Sequence, residues 1–289
     1  MRYYSYFPGC SVEATAVAYG ISIDPVSAVL QMELIELEDW NCCGSTPYGS
    51  TNELEAACMA ARNLALAEKT GLDLVTPCSS CYVTLNKTNS SLRSYPELKS
   101  RVDEALAAGG LKYGGTVRIR HLWEVIFNDI GLDAIKSKVR NSLGGLKVAP
   151  YYGCQLVRPD LGFDKPEDPQ SLDRLIASLG AEPTAFPLKS RCCGGSLVIS
   201  ETDLALDLIH QLLESAASNG AECIIAACPL CHTNLDAYQG LVNMKFKTRY
   251  NLPVLFFTQL MGIAFGIEPR ALGLDRGVVP AKKALAQWL

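Results

Sequence analysis

The chain has 289 residues, 48% of them apolar and 19% charged, with a formal charge of −4. That length carries two ordinary domains or one large one, the apolar fraction excludes a disordered chain, and the acidic balance excludes a basic nucleic-acid binder. The longest apolar run, 254–267, is interrupted by Thr258 and Gln259 and is too short for a membrane span, and no secretory leader follows Arg2, so a cytoplasmic protein is expected.

In chain order, short apolar runs predict strands at 3–7, 34–38, 73–76 and 116–120, and again at 147–152, 184–188, 223–227 and 253–257. Helical patterns lie between them. The one at 52–69 stops at Gly71, and its counterpart at 201–219 stops at Gly220. Strands alternating with helices predict an α/β fold with a small, mostly parallel sheet in each half.

The twelve cysteines are the unusual feature. A chain with a good core and no export signal has no need of a disulfide framework, and a thiol-rich, histidine-poor chain points to zinc or iron–sulfur. The cysteines also repeat. Cys42, Cys43, Cys78 and Cys81 recur 150 residues later as Cys192, Cys193, Cys228 and Cys231, and Cys10 recurs 144 residues later as Cys154. Local context repeats with them. Phe7-Pro8-Gly9-Cys10 parallels Tyr151-Tyr152-Gly153-Cys154, and Asn41-Cys42-Cys43-Gly44 parallels Arg191-Cys192-Cys193-Gly194. Such a pattern marks an internal duplication. It divides the chain into a first domain at 1–140, a second at 146–267 and a tail at 268–289, with the linker near 136–145. Each cysteine group follows a strand, so the groups are expected at the carboxyl ends of the strands, where open α/β sheets bind ligands.

Two C-x-x-C pairs could build one four-thiolate zinc site. That reading leaves the adjacent pairs and the leading cysteines unused, and the side chains of adjacent cysteines diverge. A multi-iron cluster accommodates them more readily. No ferredoxin run of closely spaced cysteines is present, so electrons would have to come from a partner. Cys58 and Cys223 have no repeat partners and read as core residues. His210 reads as structural, and His121 as a surface or core residue. His232, next to Cys231, is expected to lie near the cluster and bond a sulfur. Arg158, Lys189 and Arg191 flank second-half cysteines and form either a solvated rim or an anion-binding wall. The tail, with Arg270, Arg276, Lys282, Lys283 and Trp288, is expected to dock a partner or to fray.

The doubled pattern C…CC-G…C-x-x-C resembles that of the CCG-domain proteins, and most of all the B subunit of the heterodisulfide reductases, over nearly the whole chain to about Phe265. The resemblance implies two noncubane [4Fe-4S] clusters. One would be held by Cys10, Cys42, Cys43, Cys78 and Cys81, the other by Cys154, Cys192, Cys193, Cys228 and Cys231. It implies an oxidoreductase component of methanogenesis that reduces the mixed disulfide of coenzyme M and coenzyme B. The disulfide would be cleaved between the two clusters, with electrons delivered by a ferredoxin-type subunit of the same complex, the C subunit, and ultimately by its flavin-bearing A subunit. Substrate-binding candidates are Arg158, Lys189, Arg191, Gln155 and His232; no catalytic residue is assigned. Archaeal relatives often carry His after the cysteine matching Cys154, whereas this chain has Gln155, which cannot protonate a departing thiolate. A bacterial protein of heterodisulfide-reductase-like type that handles another sulfur compound, and an oxidoreductase subunit of the lactate-utilisation type, are the alternatives.

Overall fold

The computed structural model describes residues 1–45, 47–158 and 163–289. The chain forms two compact units: Met1–Cys10 with Gln31–Val125, and Ser11–Leu30 with Ile126–Leu289. This division differs from the cut at 140 that the repeat suggests, with residues 11–30 and 126–140 both falling in the second unit.

The first unit is built on a parallel sheet of β1 (Arg2–Tyr6), β2 (Met32–Glu36), β3 (Leu74–Thr76) and β4 (Ile119–His121), in the order β2-β1-β3-β4. Its central strand β3 is wholly buried, as expected of a parallel strand covered on both faces. The helix Glu53–Glu68 starts where the Asn52 side chain accepts a hydrogen bond from the Glu55 N–H, with Glu53 and Glu55 in its first turn. Its buried face is mostly alanine with Leu64, and it shares one core with Leu74, Leu85 and Val102.

The second unit repeats the plan with β5 (Lys147–Tyr151), β6 (Glu182–Pro183), β7 (Cys223–Ala226) and β8 (Val254–Phe256), all parallel, in the order β6-β5-β7-β8. The helix Thr202–Ser218 covers its core through Leu206, Ile209, Leu212 and Leu213. The helix Val17–Val29 joins this unit. Tyr19 stacks on Phe256 at 4.0 Å, and the Ser22 and Thr258 hydroxyls lie 2.6 Å apart.

Seven of the eight predicted strands overlap observed ones. The exception is 184–188. The observed β6 ends at Pro183, and the chain turns after Phe186, with the Lys189 N–H bonding the Phe186 carbonyl. Pro183 and Pro187 have no N–H for a ladder, which confines this segment to a short edge strand.

The tail does not fray. Leu272 and Leu285 are fully buried. The Gln259 side chain donates to the Leu272 carbonyl at 2.9 Å, and the Asp236 carboxylate accepts the Val278 and Val279 N–H groups at 2.7 and 3.0 Å. Apolar anchors and a buried carboxylate therefore tie the tail to its own unit.

Candidate metal centres

Both repeats deliver their cysteines by the same local devices. β1 and β5 end just before Gly9-Cys10 and Gly153-Cys154. β3 and β7 end just before Cys78 and Cys228, which are the N-caps of the helices Ser79–Ser94 and Pro229–Ala237. Cys81 and Cys231 thus fall in a first helical turn, where free N–H groups favour negative charge. The adjacent pairs lie on loops ending in Gly44 and Gly194, both with positive φ. Their positions lie against Ala56 and Ala205, where an added Cβ would come within 3.2 Å of the neighbouring backbone.

The five thiols of each repeat come together. In the first, the Cys10 and Cys42 sulfurs are 4.0 Å apart, Cys42 also bonds Cys43, Cys43 bonds Cys81, and Cys81 bonds Cys78. In the second, Cys193 and Cys231 are 3.5 Å apart, Cys192 bonds Cys154 and Cys193, and Cys231 bonds Cys228. Each group has a buried floor, Cys43, Cys78 and Cys81 or Cys193, Cys228 and Cys231, and a more open mouth at Cys10 and Cys42 or Cys154 and Cys192. All twelve cysteines are free thiols.

Crowding sets the proton affinities. Hydrogen bonds from Cys10 and Cys43 pull Cys42 down to about 2, and the equivalent bonds from Cys154 and Cys193 do the same to Cys192. Neighbouring thiols go the other way. The bond with Cys42 and burial push Cys43 up to about 11, Cys193 rises to about 12 by the same causes, and Cys81 and Cys231 rise well above the thiol range. Thiols this crowded oppose one another's ionisation, and cations among them, as in a polynuclear metal centre, would favour the thiolate forms. Among the described residues, no three His, Cys, Asp or Glu side chains are set to hold a single metal ion.

Residues outside the ten divide sharply. Cys223 is fully buried in β7, where burial pushes its thiol up to about 12, and Cys58 packs against the first core; both are packing residues. His210 stacks on Phe246 and bonds the Tyr250 hydroxyl. His121 is wholly buried, accepts the Trp123 N–H at Nδ1 and faces the Ser79 hydroxyl at 3.4 Å, so its role lies in the core. His232 lies one residue beyond Cys231, where its ring bonds the Val254 carbonyl and stacks on Phe256 at 4.1 Å. Burial holds it below the usual histidine range, with Asp236 opposing.

Lys189 is not available to an anion. It is neutralised by Asp168 at 3.0 Å and Asp173 at 3.5 Å and lies over the Tyr152 ring. Arg158 and Arg191 are exposed, and Gln155 is half-buried beside Cys154. The asparagines that hold the cysteine loops were not singled out in the sequence. Asn63 bonds the Asn41 N–H and carbonyl, and Asn234 bonds the Cys193 and Gly195 carbonyls. A buried amide in a helical pattern was their only signal.

A protein-family model of the cysteine-rich CCG domain matches residues 4–86 and again 148–236. The chain belongs to the CCG cysteine-rich domain family. Its two matched segments carry the two thiol groups described above. Among curated relatives, the 8-methylmenaquinol:fumarate reductase membrane anchor subunit of Wolinella succinogenes is 35% identical over 97% of this chain and 98% of its own length. The B subunit of the ferredoxin:CoB-CoM heterodisulfide reductase of Methanosarcina mazei is 33% identical over 89% of this chain and 87% of its own. The crystal structure of a hypothetical protein from Helicobacter pylori shares this fold with a TM-score of 0.77 at 17% identity, covering 96% of this chain and 52% of that one. Among the described residues, no helix is long and apolar enough to cross a membrane.

Proposed function

We propose that this CCG protein is the two-centre iron–sulfur subunit of a heterodisulfide-reductase-type complex. The observation that supports it is the doubled five-thiol group, repeated with the same order, the same glycine turns and the same helix N-termini. Cys10, Cys42, Cys43, Cys78 and Cys81 would hold one noncubane [4Fe-4S] cluster, and Cys154, Cys192, Cys193, Cys228 and Cys231 the other. Bound clusters of this kind supply one-electron uptake and release at thiolate-ligated iron.

The chain's own residues then have defined tasks. The cysteines of the buried floors exclude water from one side of each centre. Gln155 sits beside the open mouth at Cys154, where its amide can bond an incoming polar group, and the exposed Arg158 and Arg191 can attract an anionic substrate. The substrate in this reading is the mixed disulfide of coenzyme M and coenzyme B, and the electron donors are two further subunits, one of ferredoxin type and one with a flavin. The cytoplasm is the compartment in which so many thiols stay reduced.

A second reading is favoured by the 35% identity that runs end to end with a fumarate reductase subunit. In it the same two centres carry electrons from a methylmenaquinol. The anaerobically isolated complex, given reduced viologen and the mixed disulfide, decides between them. Release of two thiols per disulfide is expected. Quinol oxidation without any thiol release would replace the first reading by the second.

A further inference from the structure

Asn234 is fully buried on the helix Pro229–Ala237, three residues beyond Cys231. Its side-chain nitrogen lies 2.9 Å from the Gly195 carbonyl, 3.1 Å from the Cys193 carbonyl and 3.5 Å from the Cys193 sulfur. Two carbonyl oxygens fix the amide's orientation, because the flipped group would set oxygen against oxygen. The amide oxygen itself has no partner in its buried site. The nitrogen end therefore holds this side chain, and it faces a cysteine sulfur.

The first repeat provides an internal control. Backbone N–H groups reach the paired cysteines alike in both repeats: Gly44 and Ser45 bond Cys42 and Cys43, and Gly194 and Gly195 bond Cys192 and Cys193. The side-chain amide is different. The position matching Asn234 is Thr84, which has no amide, and the first loop is held from another helix by Asn63, which among the described residues bonds the Asn41 backbone, at 2.9 and 2.8 Å. The position matching Asn63 in the second repeat is Leu213.

Resting on the reading of the second cysteine group as a cluster site, we propose that Asn234 is a positioning residue that raises the reduction potential of the second-repeat centre through its hydrogen bond to the Cys193 sulfur. A donor at a thiolate sulfur withdraws electron density and stabilises the added electron, so the reduced state is favoured. The two centres, equal in ligands, are thereby made unequal in potential.

The test uses the anaerobically purified holoprotein and an Asn234→Leu variant of similar side-chain size without the donor. Iron and acid-labile sulfide are measured first, and each centre is then titrated and followed by electron paramagnetic resonance. A Cys43→Ser variant, retaining the second centre alone, assigns the signals. Asn234→Leu is expected to move the second centre to more negative potential and leave the first unmoved. Pulsed resonance on wild-type protein carrying isotopically labelled asparagine is expected to show a nitrogen coupling on the second centre, and this arm decides should the variant lose that centre. An unmoved potential with both centres present, or the absence of an asparagine coupling, would overturn the inference alone. Wild-type protein without iron and sulfide would remove the underlying reading and this one with it.

Discussion

Gly153 lies so close to Cys231 that a Cβ on the glycine would stand 2.9 Å from the cysteine sulfur, and Gly9 bears the same relation to Cys81 at 3.0 Å. Both glycines have positive φ, 67° and 76°. The backbone before each leading cysteine is thus part of the wall of its thiol group. Gly153→Ala adds roughly 1–2 kcal/mol of backbone strain and forces the Cys231 sulfur to move. The expected result is loss of about half the bound iron, with a lowered melting temperature. Full iron retention in Gly153→Ala would show that the close approach has no role in binding.

These groups were legible because the duplication prints them twice. The offset of 150 residues between Cys42 and Cys192 is a statement about fold, and the glycine beside each cysteine group is a statement about backbone geometry. The parallel sheets followed from strands alternating with helices. Three features could not be read in this way. The place of residues 11–30 in the second unit depends on Tyr19 meeting Phe256. The tail's attachment depends on Asp236, over 40 residues upstream of its partners Val278 and Val279. Lys189 looked like a free cation because Asp168 and Asp173 reach it only once β5 and the following loops are folded. Long-range pairings of this kind leave no local periodicity.

Ligand and packing cysteines separate by substitution. Cys43→Ser and Cys193→Ser each remove one centre and spare the other, since the cysteines that their sulfurs bond all belong to their own repeat. If disulfide reduction needs both centres, either change abolishes thiol release. Cys58→Ala, at a half-buried packing position, costs about 1 kcal/mol and keeps all the iron. Iron content and thermal unfolding of the three variants check this, and loss of iron on changing Cys58 would reverse the assignment.

Asp236 fastens the tail. Replacing it with Ala leaves the Val278 and Val279 N–H groups without their charged acceptor, a loss of about 1.5–3 kcal/mol. The melting temperature should fall, and trypsin should cut sooner at Lys282 and Lys283. Cleavage at the wild-type rate would mean that Leu272 and Leu285 suffice to hold the segment.

The carboxylate of Glu68 carries a pH dependence. Burial raises its pKa, but bonds from the Thr116 hydroxyl and the Gly114, Thr116 and Gly115 N–H groups outweigh it, and the net shift is downward from 4.5. A carboxylate stabilised in the folded state contributes stability that is present above its unfolded pKa and lost as pH falls through its lowered folded value. Glu68→Gln should therefore flatten part of the acid limb of a melting-temperature profile while lowering stability at neutral pH. A profile parallel to wild type would assign the acid limb to other groups.

The central claim is that ten cysteines in two equivalent groups hold two polynuclear iron–sulfur centres. Metal and acid-labile sulfide analysis of anaerobically purified protein tests it most directly. About eight irons with a matching amount of sulfide per chain are expected from two four-iron clusters, in a brown preparation. About one zinc per chain with no labile sulfide, the stoichiometry of a single four-thiolate site, would contradict it.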